Sequence, residues 1–560
     1  MTTIGSYLAD RLEQLNISDY FAIPGDYNLA LLDEMLSNKS LKMINCCNEL
    51  NAGYAADGYA RVNGISAVVV TYSVGGLSAV NAIAGAYAEN LPVIVISGGP
   101  NTNSVQDAET LHHTLGTKNY HYVRQIYSAI TAHTIYINRA SDAARQIDTA
   151  IAIAVAKKKP VYIEIACNIA GATISPPTPR SLISKKLSDV SSLKAAVTEV
   201  AEKLNAALKP VIIVGSKSRH HRATDAIAAL SLSSHYAITT MADAKGFISE
   251  QHPNYIGIYW GPVSSPGCSE IVESSDMCFF VGPNFNDYTT VGHDFNVHEN
   301  KTIIVADDYV TVAGKVYTCV YMNEFLEQLK DALKPNDTSL KTYQRIEGKA
   351  PQYEEPQDLN TPLTTRYLFG QIQKMLTGNH AVLAETGDSW FNGMRLELPE
   401  NCPFEIQMQY GSIGWSVGAL LGMQAAFKEK KRVIGLIGDG SFQMSAQEVS
   451  TLIRYNFKPI IFLMNNAAYT IEVQIHDGPY NVINNWHYAE LVKVFNGDAH
   501  NAHSFVVTTC QELLDTIGKA EKTDGLCFIE VKLDKDDCNK NLLDWGARVA
   551  TYNSRPPRGS

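Results

Sequence analysis

The sequence predicts an α/β fold of three domains, each a mostly parallel sheet flanked by helices. Short β-branched runs alternate with helix-patterned stretches along nearly the whole chain, as in sheets covered on both faces. Two polar seams interrupt this alternation: "TISPPTPRSLISKKLSD" (173–189) and "NDTSLKTYQRIEGKAPQYEEPQDLNTPL" (336–363). Both read as linkers. The chain has 560 residues, and about 100–200 residues per domain also gives three. The expected limits are 1–185, 190–345 and 355–560.

The N-terminal stretch opens with apolar residues at 4, 7, 8, 12 and 15, the spacing of an amphipathic helix. Its strand candidates are 19–24 ("DYFAIP"), 67–71 ("AVVVT"), 92–97 ("PVIVIS") and 160–166 ("PVYIEIA"). The middle stretch offers 209–215 ("KPVIIVG"), 277–282 ("MCFFVG") and 301–307 ("KTIIVAD"). The last offers 380–385 ("HAVLAE"), 432–438 ("RVIGLIG"), 458–464 ("KPIIFLM") and 527–533 ("CFIEVKL"). Ligands of such sheets sit beyond the carboxyl ends of the strands. Asp26, Ser73, Asp439 and Asn466 all fall there.

Composition narrows the function. The net charge is −11, which argues against a nucleic-acid surface. No run of 18 apolar residues offers a membrane span, and the N-terminus lacks the form of a secretion signal. Ten scattered cysteines without a CxxC pair point to a reduced, cytoplasmic protein.

The strongest chemical signal is "GLIGDGSFQMSAQEVSTLIRYNFKPIIFLMNNAAYTIE". One strand ends at Gly438-Asp439-Gly440, and 25 residues later a second ends at Asn465-Asn466. One crossover helix between them lets the two strand ends lie side by side. Asp439 and Asn466 then offer hard oxygen ligands beside a helix N-terminus, which suits Mg²⁺ holding a diphosphate.

This pattern resembles the thiamine-diphosphate motif. The whole chain resembles the bacterial-type pyruvate decarboxylases, thiamine-diphosphate-dependent 2-oxo-acid decarboxylases. "FAIPGDYN", "NELNAGYAADGYAR", "LHHTLG", "AETGDSWFN", "YGSIGWSVG", "GDGSFQMSAQE" and "YTIEVQIHDGPYN" match family segments in the family's order. The resemblance implies thiamine diphosphate and Mg²⁺ as cofactors. Asp439, Asn466 and the Ala468 backbone carbonyl would be the metal ligands. Glu49 would bond N1′ of the aminopyrimidine, so that the cofactor can form its carbon nucleophile. From the residues alone, Glu49 could equally be a helix-capping acid. Asp26, His112, His113 and Glu472 would exchange protons with the substrate. Adjacent histidines by themselves are more often a polar loop.

The resemblance also implies that Thr386, Asp388, Gly440, Ser441 and Ile471 meet the cofactor. Gly411 would lend a carbonyl, and Ile413 would prop the cofactor's bend, although core packing explains Ile413 equally well. Tyr288, Trp390, Ile471 and Ile475 would wall the substrate pocket, leaving room for a methyl group and little more. Pyruvate is therefore the expected substrate among small 2-oxo acids, with acetaldehyde and CO₂ as products. The alternatives are a decarboxylase of aromatic or branched 2-oxo acids, a carboligase of the acetolactate-synthase kind, and a silent scaffold.

The first domain of one subunit would face the third domain of another. A homodimer is then the minimal active unit, a homotetramer the expected assembly, and no nucleic acid or membrane a partner. The small residues after Glu49 would belong to that subunit seam. The family usually has glycine where Ala468 stands, and a positive φ there would strain alanine. The middle domain has no GxGxxG. It would be structural or regulatory, and "GSKSRHHRATDA" lacks the regulatory cysteine of yeast-type relatives.

Overall fold

The structure is a computed structural model that describes residues 2–175, 186–221, 223–295, 297–346 and 356–558. Residues 176–185 and 347–355, inside the two expected linkers, lie outside the described residues.

The first sheet comprises β1 (Asp19–Ala22), β2 (Lys42–Asn45), β3 (Ser66–Val70), β4 (Val93–Gly99), β5 (His133–Ile137) and β6 (Val161–Ala166). Its order is β2-β1-β3-β4-β6-β5, all parallel. The middle sheet comprises β7 (Pro210–Val214), β8 (Ala237–Met241), β9 (Tyr255–Tyr259), β10 (Met277–Val281), β11 (Thr302–Val305), β12 (Tyr309–Val312) and β13 (Lys315–Thr318). Its order is β13-β12-β11-β10-β7-β8-β9, with β12 and β13 antiparallel at one edge. The third sheet comprises β14 (His380–Ala384), β15 (Phe404–Glu405), β16 (Arg432–Gly438), β17 (Ile460–Asn465), β18 (Ala502–Val507) and β19 (Leu526–Lys532). Its order is β15-β14-β16-β17-β19-β18, again all parallel.

The first and third sheets therefore share one topology, strand for strand. The helix after β2 (Glu49–Asn63) corresponds to the helix after β15 (Trp415–Phe427), and these two helices pack on each other. "WSVGALLGMQA" is apolar on every side, and each residue from Trp415 to Ala425 is buried. A helix of that composition belongs in a core rather than at a surface.

Their crossing is close enough to exclude side chains. A Cβ on Gly58 would sit 2.0 Å from the Ala419 carbonyl oxygen, and one on Gly422 would sit 1.8 Å from that of Ala55. Gly53 faces Ala82, on the helix Val74–Ala88, in the same way. This corrects one expectation. The small residues after Glu49 serve contacts within the chain, because helices at this separation leave no volume for a larger side chain.

A second correction concerns 336–363. Its first part is a helix, Thr338–Ile346. Leu340 and Tyr343, three apart, share a face and pack against the cluster around Cys268 and Ile271. The polar residues between them hide this short stripe in the sequence. Among the described residues, no helix is long and apolar enough to cross a membrane.

Candidate active site

Strands β16 and β17 pair in parallel, with Gly438 opposite Met464. Their ends therefore emerge together, as the motif spacing requires. Asp439 opens the helix Asp439–Ser445 and is 1% exposed. Gly440 N–H donates to its Oδ1 (2.8 Å), and the Asn466 and Ala467 N–H groups donate to Oδ2 (3.1 and 2.6 Å). Burial nonetheless pushes its carboxyl up to about 6. Desolvation without a cation favours the neutral acid.

Asn466 commits its NH₂ to Thr470 Oγ1 (2.5 Å), so its oxygen is the side-chain atom that could meet a cation. Ala468 lines the same pocket and bridges Val482. The left-handed residue is Ala467, at φ 59°, not Ala468. The strain expected at Ala468 is therefore displaced by one residue. The turn that hands two N–H groups to Asp439 places its positive φ at the second donor.

The pocket is also lined by Thr386, Asp388, Ile413, Gly440, Ser441 and Ile471. Ile413 is half-exposed there, so core packing does not account for it. Gly440 lies against Tyr469, where a Cβ would come within 2.4 Å of the ring. Thr386 Oγ1 is buried without a hydrogen-bond partner. An acidic anchor, an amide oxygen, a side-chain-free cradle and an orphaned hydroxyl fit a magnesium diphosphate. Asp388 accepts from Asn539 N–H (3.1 Å) and Asn392 Nδ2 (2.6 Å), and burial pushes its carboxyl up to about 6.

Gly411 stands at φ 63° in a loop tied to the first domain. Glu89 Oε1 accepts from the Gln409 and Tyr410 N–H groups (2.8 and 3.3 Å), and the Tyr54 and Ser412 hydroxyls meet at 2.7 Å. The sequence reading missed Glu385. It is wholly buried at the end of β14 and accepts from the N–H groups of Thr386, Gly414 and Ser416 at 2.8–3.2 Å. An acid closing the apolar run "HAVLAE" was the available signal.

Of the expected substrate wall, Ile471 is 6% exposed, and Tyr288 and Ile475 are half-buried. Trp390 is wholly buried. Its ring stands edge-on to Tyr288 at 6.1 Å, so it backs the wall rather than forming it. Glu472 is exposed on the helix Thr470–Ile475.

The first domain carries the other group. Glu49 is half-buried at the first turn of its helix, over Gly75, where a Cβ would lie 3.0 Å from its Oε1. Asn48 caps that helix by accepting from Asn51 N–H (2.8 Å). Asp26 Oδ2 lies 2.7 Å from His112 Nε2, and Oδ1 lies 3.6 Å from His113 Nε2. Among the described residues, all that line the Asp439 pocket come from 365–537, and none from the first domain.

Three family models match the chain in order: the thiamine pyrophosphate enzyme N-terminal TPP binding domain over 2–122, the central domain over 197–329 and the C-terminal TPP binding domain over 382–531. Pyruvate decarboxylase 1 of Oryza sativa subsp. indica is 51% identical over 99% of this chain and 92% of its own. Pyruvate decarboxylase 1 of Arabidopsis thaliana and that of Zea mays are each 50% identical over the same shares. The chain belongs to the pyruvate decarboxylase family of thiamine pyrophosphate enzymes. These relatives are plant proteins, so the resemblance is to the family and not to its bacterial type in particular. Membership gives the thiamine pyrophosphate fold a matching sequence in all three domains.

Proposed function

We propose that this chain decarboxylates pyruvate, without oxidation, to acetaldehyde and CO₂. The observation that carries the reading is the pocket in which β16 and β17 bring Asp439 and Asn466 together. About 50% identity over nearly the full chain to pyruvate decarboxylases supports the substrate. The domain limits 1–185, 190–345 and 355–560 are part of this reading, and each matched model falls within one of them.

Asp439, Asn466 and the Ala468 carbonyl would hold Mg²⁺. The Ser441 N–H and the Thr386 hydroxyl would hold the diphosphate over the side-chain-free Gly440, with Asp388 close by. Gly411, Ile413 and Ile471 would receive the remainder of thiamine diphosphate, and Glu49 would bond N1′. Bound there, the cofactor supplies a carbon nucleophile and an electron sink for the bond to CO₂. Glu49 holds a proton at the ring nitrogen. His112, His113, Asp26 and Glu472 deliver and remove protons at the substrate, work suited to imidazole and carboxyl groups. Tyr288, Ile471 and Ile475, backed by Trp390, restrict the substrate side chain to about a methyl group.

Among the described residues the cofactor pocket is lined by the third domain, whereas Glu49, Asp26, His112 and His113 belong to the first. A homodimer in which each chain completes its partner's site supplies both halves, and a homotetramer is two such dimers. Ten free cysteines favour a reducing, cytoplasmic setting.

The test is a panel of 2-oxo acids with thiamine diphosphate and Mg²⁺, reading aldehyde and CO₂ together. Pyruvate should give the highest kcat/KM. A preference for aromatic or branched acids, or acetolactate in place of aldehyde, would replace this reading.

A further inference from the structure

Among the described residues, only Asp26, His112 and His113 gather three metal-competent side chains, with one ligand atom of each within 4.8 Å of the others. The loop that carries the histidines is fixed before any ligand arrives. The Tyr120 hydroxyl donates to the Glu109 carbonyl across the loop's base, and Thr114 Oγ1 donates to the Leu111 carbonyl (2.6 Å). His113 adopts φ 59°. Neighbouring residues on extended backbone point to opposite sides. The turn at His113 instead brings the two rings to a centroid separation of 4.5 Å. Both rest on one buried aromatic floor. Tyr27 stacks under His112 at 5.0 Å with planes 14° apart, and meets His113 edge-on at 6.1 Å.

We propose that Asp26, His112 and His113 form a site for a borderline divalent transition-metal ion, Zn²⁺ above all, and that its occupation blocks proton exchange with the substrate. The silencing half rests on the decarboxylase reading; the binding half does not.

Two imidazoles and one carboxylate are a zinc-type donor set. Bond lengths of about 2.0–2.1 Å place tetrahedral ligand atoms about 3.3 Å apart. The observed separations of 2.7 and 3.6 Å bracket that value. The side chains of His112, Asp26 and His113 are 59, 50 and 34% exposed, so small rotations suffice to open the cluster around an ion. Three protein ligands leave a position for water. Mg²⁺ prefers the oxygen set at Asp439 and Asn466, so the chain would carry two cation sites of different hardness. A bound Zn²⁺ would occupy the imidazole lone pairs and the Asp26 carboxylate through which protons must pass.

The test titrates Zn²⁺ calorimetrically into the protein loaded with thiamine diphosphate and Mg²⁺, and follows Co²⁺ absorption in parallel. Wild type should take up Zn²⁺ at this site, and His112→Gln and Asp26→Asn should each weaken it on the order of tenfold or more. Within one chain both side chains are exposed, and Gln and Asn stay close in size to the residues they replace, so both variants should melt as wild type does. Coincident isotherms in wild type and the two variants, or no uptake, would overturn the site. Pyruvate turnover should fall as Zn²⁺ fills the site and return with a chelator. Turnover unaffected at full occupancy would overturn the silencing. Absence of pyruvate turnover before any Zn²⁺ is added would instead count against the decarboxylase reading and leave the binding result to decide the site.

Discussion

Ala467 sits in the left-handed region at φ 59° while donating its N–H to Asp439. That backbone costs a residue with a Cβ roughly 1–2 kcal/mol, and glycine's extra freedom in the unfolded chain offsets part of this. Ala467→Gly should therefore raise unfolding stability by about 0.5–1 kcal/mol, measured by denaturant titration. A loss of stability would show that the turn is unstrained. Asp439 itself makes a pH prediction. Its folded carboxyl titrates at about 6, above its ordinary value. The folded apoprotein thus binds a proton that the unfolded chain has already released. That contribution is complete below about pH 4 and is lost as pH rises through about 6. Mg²⁺ requires the ionised form, so its affinity moves the other way and strengthens from pH 5.5 to 7. Calorimetric titration of magnesium and thiamine diphosphate at the two pH values reads this, and equal affinities would remove Asp439 from the metal site.

The crossing of the Glu49 and Trp415 helices sets where the first and third domains of one chain meet. Gly422 allows it, since a Cβ there would lie 1.8 Å from a backbone oxygen that has no rotamer to change. Gly422→Ala should cost at least the roughly 1–3 kcal/mol typical of overpacking. Heat unfolding should register the loss, and an unchanged midpoint would mean that the helices can slide apart. Such elements also show what could be read before folding. Most central strands announced themselves as continuous apolar runs because both of their faces are covered; β8, "AITTM", did not, because its two threonines interrupt the run although every residue is buried. Edge strands did not: β18, "AHSFVV", is buried only at Val507, and β13, "KVYT", only at Tyr317. A strand with one open face and one open edge carries too few apolar residues to stand out. The turn residues proposed to hold metal and phosphate were legible because strand, turn and spacing coincided at Asp439 and Asn466. Glu385 was not, since its role depends on N–H groups about 30 residues further along the chain, at Gly414 and Ser416.

At the scale of the whole chain, a buried ionic cluster joins all three domains. Glu405, at the end of β15, takes both arms of Arg219 from the middle domain at 2.5 and 2.6 Å. It also lies 3.4 Å from Arg61 of the first domain, whose guanidinium pairs with Asp57 at 2.7 Å and caps the Ile406 carbonyl. Removing one member of a buried pair costs more than the pair contributes, because the partner charge stays behind. Glu405→Ala should destabilise by about 3–5 kcal/mol, read by urea unfolding, and a change under 1 kcal/mol would mean that water reaches Arg219 freely. The cluster fixes one chain's domains to each other, yet among the described residues of that chain the pocket at Asp439 has no lining from the first domain. On the proposed reading the missing half arrives on a second copy, which mixing can decide. Glu49→Gln and Asp439→Ala should each abolish turnover alone. Co-expressed, they should recover about one quarter of wild-type turnover, from one intact site in the half of the dimers that are mixed. That site would take Glu49 from the Asp439→Ala chain and Asp439 from the Glu49→Gln chain. If each chain instead completed its own site, every site in the mixture would carry one lesion and nothing would return.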